Sequence, residues 1–133
     1  MRLAIVIFAV ESLEHSLAFY QRAFGWSKSV DTPVYVELDV GPSLTLGLYD
    51  RNGFGRNLGQ APAPAIAGEV SRTELYFQVE SLADAIRSLE QAGARCLSPR
   101  QVRAWGDEAA YFADPDGNVL VVATRIGRAG PRA

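Results

Sequence analysis

Residues 3–10 form an unbroken apolar run, which predicts a strand covered on both faces and is too short for a buried helix. The period then changes. Ser12 stands where a helix N-cap belongs, and Leu13, Leu17, Tyr20 and Phe24 recur at helical spacing until Gly25 stops them. Short strands are predicted near 27–30, 34–40 and 44–49, with Gly41, Pro42 and Ser43 turning between the last two. From 51 to 68 the pattern dissolves, and Gly53, Gly55, Gly59, Pro62, Pro64 and Gly68 predict a connector. The opening plan then returns. A strand at 73–79 leads to Ser81 as a second N-cap, with Asp84 placed as in a capping box. Leu82, Ala85, Ile86 and Leu89 make that helix's buried stripe, Gly93 ends it, and strands are predicted near 95–97, 109–113 and 118–124. Asp114-Pro115-Asp116-Gly117-Asn118 supplies the last hairpin turn, with Gly117 free to take positive φ.

One tetrapeptide marks the repeat. Val10-Glu11-Ser12-Leu13 and Val79-Glu80-Ser81-Leu82 are identical, and each follows a strand and opens a helix. The predicted plan is therefore βαβββ twice, an α+β domain whose helix-covered sheet faces are buried while the opposite faces curl around a cavity. One domain spans 1–127, with the first module at about 1–50, a connector at 51–70, the second module at about 71–126, and a flexible tail at 127–133.

Composition narrows the function classes. Of 133 residues, 48% are hydrophobic and 21% charged, which suits a globular domain and argues against disorder. The net charge of −2 gives no electrostatic case for nucleic acid or anionic membrane. No apolar run approaches the roughly 20 residues that span a bilayer. The first residues read as a strand and carry no cleavage-site pattern, so a cytoplasmic location is expected. Cys96 is alone, which excludes a disulfide framework and a thiolate cluster and suits a buried structural thiol.

The residues from Val10 to Tyr20 followed by Gly25 resemble the opening helix of the vicinal oxygen chelate superfamily, the glyoxalase, bleomycin-resistance and extradiol-dioxygenase group. The second half agrees in order: Phe77 to Leu82, Ala92-Gly93, Trp105-Gly106, then Phe112-Ala113-Asp114-Pro115-Asp116-Gly117-Asn118. Metal-dependent members of that group gather four ligands, one from the first and one from the last strand of each module. Counting from the shared motifs, the resemblance places those positions at Ile5, Gly47, Glu74 and Val121. Only Glu74 has a donor side chain, and a one-residue slip in register supplies no other, so the family's metal centre is expected to be absent.

Alternation puts Tyr76 and Gln78 beside Glu74 on the cavity side, and Leu75, Phe77 and Val79 under the helix. It likewise turns Ile5, Ile7, Thr45, Tyr49, Val119 and Ala123 toward the cavity. The candidate ligand-binding set is Ile5, Ile7, Tyr35, Gly47, Tyr49, Glu74, Tyr76, Trp105, Tyr111 and Val121, an apolar wall with few polar groups. Glu74 is the one catalytic candidate, as a general base; its structural alternative is an ion pair with Arg72 or Arg103. Asp107 and Glu108 are expected in a solvated loop, and His15 on the surface. The resemblance implies a homodimer holding a small, largely apolar or aromatic molecule without metal, in a sequestration or resistance role. A metal-dependent lyase, isomerase or dioxygenase using a divalent ion, a metal-free enzyme, and a structural dimerisation module stay open as alternatives.

Overall fold

The computed structural model describes residues 1–128 and 130–132. Ala129 and Ala133, within the expected tail, lie outside the described residues. The first module runs β1 (Ile5–Val10), α1 (Leu13–Phe24), β2 (Lys28–Asp31), β3 (Tyr35–Asp39) and β4 (Thr45–Asp50). After α2 (Arg51–Leu58), the second runs β5 (Glu74–Gln78), α3 (Leu82–Gln91), β6 (Arg95–Val102), β7 (Asp107–Ala113) and β8 (Val119–Arg125). Each module is one four-stranded sheet, ordered β1-β4-β3-β2 and β5-β8-β7-β6, in which the first strand pairs in parallel with the last. The α+β architecture is the predicted pair of βαβββ modules. The two sheets are separate, and β1 and β5 each end their own sheet.

Local signals account for the helices. Ser12 Oγ accepts from His15 N at the start of α1, and Gly25 closes it with φ of 71° while donating to Gln21 O. Ser81 does for α3 what Ser12 does for α1, accepting from Asp84 N. The helix α2 corrects the reading of 51–68 as pure connector. Asp50 caps it by accepting from Gly53 N, and Gly59 ends it in the left-handed region. Its glycines serve packing and not looseness: a Cβ on Gly55 would stand 2.5 Å from the Ala61 backbone, and one on Gly53 would stand 2.7 Å from the Tyr49 ring.

The helix-side faces of both sheets feed one core, with α1 packed on α3. Val10, Leu38, Leu48, Leu89, Leu120 and Val122 are fully buried in it. Phe24 and Trp26 stack with ring centroids 4.3 Å apart and meet Phe77 of the second module, Phe24 at 4.7 Å. Each sheet's other face is left open. Residues 3–10 were predicted to be covered on both sides, yet Ile5 and Ile7 are each 38% exposed. Cys96 is exposed as well, a correction to its expected burial, because among the described residues no strand covers the outer edge of β6.

The turn between β7 and β8 clamps the modules together. Asp114 Oδ1 accepts from the backbone N–H groups of Asp116 and Asn118 at 2.9 and 2.8 Å, which folds the turn. Its Oδ2 accepts from Asn118 Nδ2 at 2.9 Å and from the hydroxyl of Tyr20 on α1. Asp116 accepts from Glu11 N at 3.0 Å and Ser16 Oγ at 3.2 Å, so the turn also caps the β1–α1 junction. Gly117 sits at φ 86°, where a Cβ would stand 2.3 Å from Glu69 O. Burial, with Asp114 beside it, pushes the Tyr20 phenol well above its ordinary value. Asp114→Ala leaves the buried Tyr20 hydroxyl and Asn118 amide without their acceptor and is expected to cost about 3 kcal/mol. Tyr20→Phe removes one donor of four and is expected to cost only about 1 kcal/mol. Urea unfolding of both variants checks the order; equal costs would show that Asp114 is no hub.

Candidate functional site

The predicted site residues fall into two groups, one on each open face. Ile5 and Ile7 of β1, Gly47 and Tyr49 of β4 and Tyr35 of β3 share the first sheet's open face, with Ile7 beside Gly47 and Tyr35 beside Tyr49 in register. Glu74 and Tyr76 of β5, Tyr111 of β7 and Val121 of β8 share the second, with Val121 between Tyr76 and Tyr111. Within one chain the two groups stay on separate sheets.

The first face is filled by its own rings. Tyr35 and Tyr49 lie 4.8 Å apart, and Phe54 of α2 meets Tyr49 edge-on at 6.4 Å. The Tyr35 hydroxyl donates to Glu37 Oε2 at 2.7 Å, and burial with that bond raises its pKa. Gly47 is what lets Tyr35 lie flat across the sheet. A Cβ there would stand 2.7 Å from the Tyr35 hydroxyl and 2.9 Å from Ile7 Cγ1.

The second face has a small-residue floor and a polar-aromatic rim. Ala109, Val121 and Ala123 form the buried floor, and Tyr76 and Tyr111 pack against it. The Trp105 Nε1–H donates to the Tyr76 hydroxyl at 2.8 Å, and that hydroxyl donates to Asp107 Oδ2. Burial and the Asp107 bond raise the Tyr76 pKa, while the bond from Trp105 acts the other way. Gln78 Nε2 also donates to Asp107 Oδ2, at 3.2 Å, and Arg125 Nε lies 2.9 Å from Oδ1 without hydrogen-bond alignment. A depression of about 240 Å³ results, lined by Tyr76, Gln78, Trp105, Asp107, Arg125, Gly130 and Arg132.

Two expectations need correction here. Asp107 and Glu108 are not loop residues: they open β7, and Asp107 is 1% exposed, because the β7–β8 ladder extends to the Asp107–Arg125 pair. The signal was present, since Asp107 alternates with Ala109 and Tyr111. Glu74 pairs with neither Arg72 nor Arg103 but with Arg132, at 2.9 Å. Arg103 instead donates to Ser98 Oγ and to the carbonyls of Pro99 and Ala109, with its guanidinium 4.8 Å from the Tyr111 ring. Nothing in the local pattern announced Arg132; the turn at Trp105 places it, with Gly130 N donating to Trp105 O at 3.0 Å.

The four positions at which the resemblance places metal ligands fail as a donor set. Ile5 and Val121 are hydrocarbon, Gly47 has no space for a side chain, and Glu74 is engaged by Arg132. Among the described residues no three His, Cys, Asp or Glu side chains gather as a metal site. One carboxylate does not fit a divalent ion that needs several oxygen or nitrogen donors. Gly47→Ala is expected to cost about 1–2 kcal/mol through overpacking, and less in a Tyr35→Ala background. A double-mutant cycle in urea checks this; an undiminished cost would mean that Tyr35 does not fill the site.

A family model described as a glyoxalase-like domain matches residues 3–126. No curated protein matches the chain. The chain is similar to the crystal structure of a glyoxalase-related enzyme from Fulvimarina pelagi, with a TM-score of 0.80 and 21% identity over 100% of this chain and 99% of that one. A glyoxalase/bleomycin resistance protein/dioxygenase from Nocardioides gives a TM-score of 0.80 at 22% identity, covering 100% of this chain and 90% of that one. Lactoylglutathione lyase from Agrobacterium tumefaciens gives 0.68 at 19% identity over 92% of each chain. At such identities the structural likeness speaks for the fold alone.

Proposed function

Because the chain belongs to the glyoxalase-like domain family, we propose that it binds a small, largely aromatic molecule without a metal ion, in a cavity completed by a second copy. One observation carries this reading: where metal-dependent relatives would converge donors, this chain presents rings. Tyr35 occupies the space above Gly47, and Tyr76, Trp105 and Tyr111 stand on the sheet face that carries the remaining carboxylate, Glu74. Flat apolar walls with a few fixed polar groups suit stacking of a planar molecule. Binding without turnover is the simplest use of this face, since Asp107, the buried carboxylate, is held by Tyr76, Gln78 and Arg125.

The second copy is supported by what one chain leaves uncovered. Met1 and Leu3 ahead of β1 and Ile5 and Ile7 on it are exposed apolar residues, and among the described residues no strand pairs with the outer edge of β1. An unpaired apolar edge favours pairing with another chain. A β1 edge meeting the β5 edge of a second copy would join a ring-filled face to a polar-aromatic one, as a closed ligand cavity requires.

Elemental analysis of protein purified without chelator should find far less than one metal ion per chain. One equivalent of Zn, Ni, Mn or Fe that survives dialysis and raises the melting temperature would overturn the metal-free reading. Sedimentation should give a dimer, and Ile7→Glu should shift it to monomer with an unchanged far-UV CD spectrum. A wild-type monomer at micromolar concentration would remove the shared cavity.

A further inference from the structure

Arg132 already lies where a ligand would lie. Its guanidinium carbon is 4.9 Å from the Trp105 ring centroid and 5.4 Å from that of Tyr76, both inside the roughly 6 Å at which a cation is attracted to a ring face. One terminal nitrogen is 2.9 Å from Glu74 Oε2 and donates to the Tyr111 hydroxyl at 3.2 Å. Two ring faces, a carboxylate and a hydroxyl around one planar cation make up a recognition site for that cation.

The cage does not depend on its occupant. Trp105 and Tyr76 are tied to each other and to Asp107, so both rings are held from below. Asp107 is matched by Arg125 from the same ladder, and Arg103 is taken up by Ser98 and by backbone carbonyls. Glu74 is the carboxylate whose ion-pair partner comes from the chain's last residues and not from the sheet. That pair is open to solvent, its side chains 29% and 51% exposed, so water and a free ligand can exchange with it cheaply.

We infer that the open face of the second sheet is a site for a planar organic cation of the guanidinium or amidinium class, and that Arg132 is its built-in competitor. Glu74 sets the charge preference, Tyr76 and Trp105 each offer a ring face to the delocalised cation, and Tyr111 accepts one N–H. A tethered arginine acts at an effective concentration of order millimolar, so it weakens any free ligand of its own chemistry. The inference rests on the reading of this face as a ligand pocket and adds the class of ligand.

Benzamidine and its neutral near-isostere benzamide separate the two ideas, titrated calorimetrically into the full chain. Arg132→Ala should bind benzamidine on the order of tenfold more tightly than wild type. Adding Glu74→Gln should abolish that gain, and benzamide should bind all forms alike and weakly. Both positions are solvent-exposed, and unchanged melting temperatures confirm folding. Equal benzamidine affinity in wild type and Arg132→Ala overturns the competitor. If Arg132→Ala prefers neither probe but binds both, the cation site falls and the aromatic pocket stands. Failure of every form to bind either probe removes both.

Discussion

The carboxylate of Asp114 is surrounded on all sides by donors of its own protein: two backbone N–H groups, the Asn118 amide and the Tyr20 hydroxyl. The last of these comes from the other module. Through it, the turn that closes the second sheet is tied to the body of the first helix, and Asp116 caps that helix's start at Glu11 and Ser16. A buried acceptor with four donors is costly to strip, so this contact fixes how the modules meet. With the helix sides of both sheets turned inward onto a common core, the opposite sheet faces are left open. Those open faces are the surfaces available for function.

The same joint marks where the repeat stops being a repeat. The offset between the two Val-Glu-Ser-Leu motifs pairs Tyr20 with Leu89 and Ser16 with Ala85. In the first module these positions carry the polar clamp; in the second they are apolar, and Leu89 is fully buried. Gly41-Pro42-Ser43, the first module's counterpart of the hairpin, has no carboxylate to offer. Duplication thus keeps strand order and helix caps while the halves diverge at their contact and on their open faces. One face became self-packed, with Tyr35 lying across Gly47; the other kept a carboxylate and an aromatic rim.

Local rules reached far into this structure. Helix caps at Ser12 and Ser81, the stop at Gly25, the β7–β8 hairpin and the alternation that sets Glu74, Tyr76 and Gln78 on one sheet face all follow from spacing and turn chemistry. What spacing cannot express is contact across the chain. The glycines of α2 look like loop residues because their use, close approach to Tyr49 and Ala61, is tertiary. Asp107 looks solvated because its partners, Tyr76, Gln78 and Arg125, come from two other strands. Likewise, sequence proximity points Glu74 to Arg72 or Arg103, but its partner is Arg132, which a turn on Trp105 carries across the face.

The two ion pairs on that face have opposite characters, and the difference organises it. Asp107 with Arg125 is buried on the acid's side and tied into the Tyr76–Trp105 chain, so removing either partner would disturb the strands beneath. Glu74 with Arg132 is half in water, where such a pair contributes at most about 1 kcal/mol. A permanent pair holds the rings in place, and an exchangeable one puts its guanidinium over their faces. Rigidity below and exchange above is the arrangement that the proposed binding role would need, since the cost of ordering the site would be met by folding and not by a ligand.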